Sequence, residues 1–153
     1  LFKIIPERDV VYFSGVLDSE GSIFIKKSKT KKSVIHSLEL EIVMTHKPTI
    51  ERLHNMFGIG SMRAVKRNKA KHHKQAWKVV FSANQAETIL NVVLPYMITK
   101  KEEAELALEF VELKRSRVGR SGLSEEMIEL REMYYQKMKE LKKIEYEQTE
   151  GVM

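Results

Sequence analysis

Val34 to Met44 constrains the fold of this chain more tightly than any other stretch. Leu38, Leu40, Ile42 and Met44 alternate with Ser37, Glu39, Glu41 and Val43. In a strand, successive side chains point to opposite faces, so one face is apolar and the other largely polar. That is the pattern of an antiparallel sheet with one side packed and one side open.

The neighbouring stretches extend this sheet. Ser22 to Lys29 reads as its hairpin partner, with a polar tip at Ser28–Ser33. A second hairpin is expected from Ile59 to Arg67 and from Lys74 to Ser82, with Trp77, Val79 and Phe81 inward. Helices fill the gaps. The first starts at Pro6-Glu7-Arg8-Asp9, where proline and acids suit an N-terminus, and it stops at Gly21. A short one follows Thr45, read as its N-cap, and ends at Gly58; another runs from Gln85 to Leu94 before Pro95. Lys100–Lys114 is predicted helical with a core stripe of Ala104, Ala107, Leu108 and Val111. After a basic, glycine-punctuated linker, a terminal helix opens at Ser124 with Met127, Leu130, Met133, Tyr134, Met138 and Leu141 as its apolar stripe. The predicted class is α+β: an αββαββα core with a four-stranded antiparallel sheet, helices on one face, an open face, and C-terminal helices. Residues 1–153 are read as one domain, with its core at about 7–114 and a helical extension at about 123–148.

Charge is segregated along the chain. Residues 26–78 carry fourteen Lys/Arg against three acids, a net +11, whereas residues 101–153 are net −3. A block so lopsided points to a polyanionic partner, nucleic acid foremost. With no cysteine in the chain, disulfides and thiolate zinc sites are excluded. No phosphate-cradling glycine loop is present, and no apolar run approaches the roughly 20 residues of a membrane span. Leu1–Pro6 is too short for a secretory signal. The expectation is an intracellular protein, in an organelle or in prokaryotic or phage cytoplasm.

Phe13-Ser14-Gly15-Val16-Leu17-Asp18-Ser19-Glu20-Gly21 is a helical run of unusual make-up. Ser14 and Gly15 let another backbone approach closely, either within the monomer or across an interface. Asp18 and Glu20 fall at the helix's negative pole, which disfavours acids by about 0.3–1 kcal/mol each. Such placement asks for a compensating cation, a metal or a lysine.

Position by position this run resembles the LAGLIDADG motif, with Gly15, Asp18 and Gly21 intact and Glu20 in place of the final aspartate. Leu94-Pro95-Tyr96 followed by Thr99-Lys100-Lys101 also looks like the family's segment after the second hairpin. The resemblance covers roughly residues 7–114 and implies a homing endonuclease of the single-motif type. Such chains pair as homodimers through their motif helices, which assigns Ser14 and Gly15 to the partner helix. It further implies Mg2+ or another divalent cation held by Glu20, with the carbonyl of Ser19 as a further ligand and Asp18 in support. Lys100 aligns with a basic residue near the attacking water, and His46 with a polar residue that orders water. Both count with Glu20 as catalytic candidates.

A sheet laid in the major groove of double-stranded DNA presents its outward residues to base edges. They are Phe24, Lys26, Ser28 and Thr30 on the first strand, and Ser37, Glu39, Glu41 and Val43 on the second. Arg63, Val65 and Arg67 follow on the third, and Lys78 on the fourth, with Val80 a further candidate. For Glu39 and Glu41 the competing reading is that each pairs with a lysine across the sheet. Lys29, Lys31, Lys32, Lys69 and Lys71 at the hairpin tips suit phosphates. Two rival functions share this fold: a maturase that binds intron RNA, and a DNA-binding regulator without activity.

Overall fold

The computed structural model describes residues 4–66, 74–115 and 123–150, with side chains of the last helix described through residue 144. Helix α1 (Glu7–Glu20) leads into strands β1 (Gly21–Lys29) and β2 (Val34–Met44). Helix α2 (Lys47–Phe57) precedes β3 (Ser61–Ala64) and β4 (Trp77–Ser82). Then come α3 (Asn84–Val93), a 3₁₀ turn (Leu94–Tyr96), α4 (Lys101–Arg115) and α5 (Glu125–Glu150). The strands form one antiparallel sheet in the order β1-β2-β4-β3. The αββαββα order and the α+β class are those expected from the sequence. Among the described residues, no helix is long and apolar enough to cross a membrane.

The apolar side of the alternation in β2 is the floor of the core. Leu38, Leu40 and Ile42 are buried there with Ile23, Ile25, Val79 and Phe81. From α1, Phe13 drives into the centre and packs edge-on against Phe57 at 4.8 Å and Phe81 at 5.8 Å between ring centroids. Burying each such side chain contributes about 1.5–3 kcal/mol. The core is therefore what fixes α1 on the sheet.

Two glycines set the joints. At Gly21 the chain passes from helix to strand with no spare room: a Cβ would lie 2.7 Å from the Leu17 carbonyl oxygen. Gly60 enters β3 with φ +88°, and a Cβ there would meet the buried Phe81 ring at 2.6 Å. Gly60→Ala therefore combines a left-handed backbone with overpacking and should cost about 3 kcal/mol. Thermal unfolding should show a drop of about 6–12 °C. Gly58 also has a positive φ, +66°, but open space around it. Gly58→Ala should cost only about 1–2 kcal/mol. Equal losses would mean that Phe81 has room to yield.

Helix α5 is pinned to the β1–β2 hairpin by polar contacts as well as apolar ones. The fully buried His36 donates through Nε2 to Glu132 at 2.8 Å, and Lys27 pairs with the same carboxylate at 2.8 Å. Bonds from Lys27, Gln136 and His36 hold the Glu132 carboxyl down at about 2. Lys114 Nζ donates to the His36 carbonyl at 2.8 Å, which ties in the end of α4.

Several local expectations are corrected. The third strand is short, Ser61–Ala64, although Val65 still donates to the Ala76 carbonyl beyond it. His46, not Thr45, is the N-cap of α2. Trp77 is only partly buried, with the Lys47 ammonium 4.5 Å from its ring centroid. The buried residues of α4 are Glu103, Ala104, Ala107 and Phe110, while Leu108 and Val111 flank the core. On α5, Met127 and Met138 are buried as expected, but Arg131 is buried with them and Met133 is 42% exposed.

Candidate active site

The direction of α1 is set by Val10, Phe13, Ser14 and Leu17, its buried residues. Arg8, Val11, Tyr12, Gly15 and Ser19 occupy the opposite side, at spacings of three and four, and all are exposed. Val11 and Tyr12 are each 47% exposed, and a Cβ on Gly15 would meet nothing within 4 Å. This is an apolar, flat-topped stripe on a helix that is otherwise well packed. Ser14 is not part of it. It is 1% exposed, and its Oγ donates to the Val10 carbonyl at 2.6 Å. Its assignment to a partner helix is therefore corrected: the side chain faces the monomer's own interior.

The two acids of the motif part company. Asp18 accepts from the backbone N–H groups of Ile98 (2.9 Å), Thr99 (3.0 Å) and Lys100 (2.8 Å). It thereby ties the end of α1 to the start of α4. Lys100 Nζ donates to the Asp18 carbonyl at 2.5 Å, so an ammonium sits at the negative pole of α1. Partial burial pushes the Asp18 carboxyl up, but the three N–H bonds and Lys100 outweigh it, and the net shift is downward from 3.8. A depressed carboxyl adds stability in full above its unfolded value and loses it as pH falls through the folded one. Asp18→Asn should cost about 1–2 kcal/mol at neutral pH and flatten the acid limb of the stability curve below about pH 4. Chemical denaturation across pH would measure both.

Glu20, one turn's end further on, makes no hydrogen bond or ion pair among the described residues, and it is exposed. It opens onto a shallow hollow shared with Val43, Met44, Thr45, His46 and Ala76. The sheet register explains the meeting: Gly21 pairs with Ile42, so the residue before it comes up beside Val43. His46 lies in the same hollow, its Nδ1 2.7 Å from Thr49 Oγ1. Ser19 is exposed, with its Oγ on the Gly15 carbonyl at 2.8 Å. The fold thus brings Glu20 to His46, and Lys100 to the turn of α1 just before Glu20.

The open face of the sheet carries the expected polar set in cross-strand rows. Val43, Lys78 and Arg63 form one row, Ser22, Glu41, Val80 and Ser61 the next, then Phe24, Glu39 and Ser82, then Lys26 and Ser37. The acids are not free: Glu41 accepts from Lys78 Nζ at 3.0 Å, and Glu39 lies 4.0 Å from Lys26 Nζ. Glu39 is 8% exposed and Val80 3%, so neither stands proud of the face. Phe24 is half-buried, and Lys142 of α5 reaches round the β1 edge to within 5.3 Å of its ring centroid. Ser28 is exposed on β1, whereas Thr30 lies in the hairpin turn, bonded through Oγ1 to Ser33. Val65 sits just past β3, and Arg67, with Lys69 and Lys71, falls outside the described residues. Ile35, 46% exposed opposite Ser28, belongs to the same face and was not anticipated. Carrying the alternation two residues back from Ser37 would have found it.

Against this geometry, the sequence profile described as LAGLIDADG endonuclease matches residues 13–108. The chain belongs to the LAGLIDADG endonuclease family. Solved structures agree in fold. One is the homing endonuclease I-CvuI bound to a DNA target in the presence of Mg, with the DNA not cleaved. It shares 16% identity and a TM-score of 0.74 over 88% of this chain and 82% of that one. The archaeal intron-encoded homing endonuclease I-Vdi141I, complexed with DNA, gives 14% identity and a TM-score of 0.73 over 88% and 84%. No curated protein matches.

Among its described residues, this LAGLIDADG protein has no group of three or more His, Asp or Glu side chains placed to hold a metal ion. Glu20, exposed and without a hydrogen bond or ion pair among the described residues, is nevertheless a fitting donor for a hard divalent cation. Magnesium takes oxygen ligands, needs few from protein, and keeps water and phosphate for the rest.

Proposed function

We propose that this protein is a divalent-metal-dependent, site-specific endonuclease that cuts both strands of a long, nearly palindromic DNA site as a homodimer. The observation that carries the reading is the position of Glu20. Its carboxylate stands where the exposed stripe of α1 meets the open face of the sheet. Pairing two α1 helices along Arg8, Val11, Tyr12, Gly15 and Ser19 brings two Glu20 side chains together beneath one DNA duplex. A two-fold protein then reads a two-fold site.

Within that site each residue has a separate task. Glu20 holds Mg2+, with the Ser19 carbonyl as a further ligand; the ion, when bound, supplies an activated water and charge stabilisation at the phosphate. Lys100 is held by Asp18 beside the reacting phosphate and offsets its developing charge. His46 borders the same hollow and orders water there. Residues 7–114 form the cutting unit, and the extension at 123–148 braces it within one domain. Lys29, Lys31 and Lys32 at the first hairpin tip contact phosphates, with Lys69 and Lys71, which lie outside the described residues, as further candidates, so affinity should fall steeply with salt.

Selection from a randomised DNA duplex pool, in the absence of Mg2+, tests the binding half of this reading. Sequences with a two-fold axis should be enriched. Enrichment of asymmetric sites, or capture of structured RNA in preference to duplex, would contradict it.

A further inference from the structure

The acids on the open face are neither isolated nor random: each forms a unit with a lysine from a different neighbouring strand. Glu41 of β2 accepts from Lys78 of β4 at 3.0 Å, with both side chains 24% exposed. Glu39 of β2 faces Lys26 of β1 at 4.0 Å, with 11% and 57% exposed. We propose that the closer pair, Lys78–Glu41, whose glutamate is the more exposed of the two, reads one G·C base pair as a unit, the lysine on guanine and the glutamate on cytosine. This rests on the proposal that the open face lies in the major groove.

The match is one of spacing and order. In a G·C pair, guanine O6 and cytosine N4 are themselves hydrogen-bond partners, about 2.9 Å apart. An ammonium and a carboxylate oxygen 3.0 Å apart therefore reach both atoms at once, Lys78 donating to O6 and Glu41 accepting from N4. The ion pair need not break to do so. Guanine N7 lies beside O6 and gives the lysine a second acceptor. The reversed C·G pair sets the ammonium against the N4 donor and the carboxylate against O6. An A·T pair in the better of its two orientations offers the same central order, thymine O4 to the lysine and adenine N6 to the glutamate. It nevertheless sets the thymine methyl beside the ammonium where guanine offers N7, and adenine N7, an acceptor, beside the carboxylate. One orientation of one pair is favoured.

Register fixes how the unit is oriented. Glu41 stands on β2 and Lys78 reaches it from the β4 side. The guanine therefore lies on the β4 side of β2, and each half-site should contain one G·C pair in that orientation.

Selection from a randomised duplex pool, read by sequencing, tests this directly. The wild type should enrich that pattern, one oriented G·C pair per half-site. Glu41→Gln should weaken the preference at that pair by about tenfold and leave the other positions unchanged. The double exchange Lys78→Glu with Glu41→Lys keeps an ion pair within the sheet and should turn the preferred G·C into C·G at that one position. A two-fold site lacking the pattern, or an exchange that leaves the preferred base pair as it was, would overturn the pairing inference alone. Failure to enrich any duplex would instead overturn the placement of DNA on this face, and the inference with it.

Discussion

Gly15→Leu is expected to leave the chain folded and to make it monomeric. In the single chain nothing lies within 4 Å of a Cβ at this position, and the position is exposed, so a side chain starting there leads into open space. Helix propensity alone favours the change by roughly 0.5–1 kcal/mol. Thermal unfolding should hold steady or rise slightly. The loss is expected between chains, where the proposed homodimer would set two leucines at its two-fold axis. Overpacking costs about 1–3 kcal/mol per site, and symmetry applies it twice, so the dimer should weaken by at least about thirtyfold. Sedimentation should then report the 17.8 kDa chain alone at concentrations where the wild type shows twice that mass. A Gly15→Leu protein that still dimerises would move the interface away from α1.

Glu20→Gln should separate stability from activity in the opposite way to a core mutation. The side chain has no hydrogen bond or ion pair among the described residues, so its removal breaks no packing. Taking a negative charge from the negative pole of α1 should stabilise the fold by about 0.3–1 kcal/mol. Cleavage should nevertheless fall by about a thousandfold or more, equivalent to about 4 kcal/mol of lost transition-state stabilisation. DNA binding without metal should be retained, since the lysines proposed to face phosphates are untouched. A Glu20→Gln protein that cuts at the wild-type rate would remove the residue from the chemistry.

What the sequence disclosed about this molecule followed periodicity. The eleven residues of β2 were legible because one face must be dry and the other wet. The joints at Gly21 and Gly58 were legible because the chain must turn there. Features that depend on a partner element were not. In α4, Leu108 and Phe110 are alternative choices for one stripe, and it is contact with α5, where Phe110 meets Tyr134 at 6.1 Å between ring centroids, that settles the phase. Burial of His36 and Arg131 likewise depends on where α5 docks, which no local pattern encodes.

The candidate site shows the same division. Glu20, Asp18 and Lys100 could be singled out by resemblance, with Asp18 in a supporting role, but the contacts that give it that role could not. Three backbone N–H groups from 80 to 82 residues away decide that Asp18 is a brace and leave Glu20 open. For Ser14 the error was one of helical phase: with Val10, Phe13 and Leu17 inward, Ser14 must follow them. The pairing of Glu39 and Glu41 with lysines rests on cross-strand register, which hairpin lengths alone leave undetermined.

Whether two copies of this chain cut DNA with paired Glu20 carboxylates is decided by incubating the wild-type protein with its selected duplex, with and without Mg2+, and resolving both strands. Metal-dependent breaks are expected in both strands, placed symmetrically about the two-fold axis of the site. Tight binding with both strands intact in Mg2+ would contradict a paired Glu20 site.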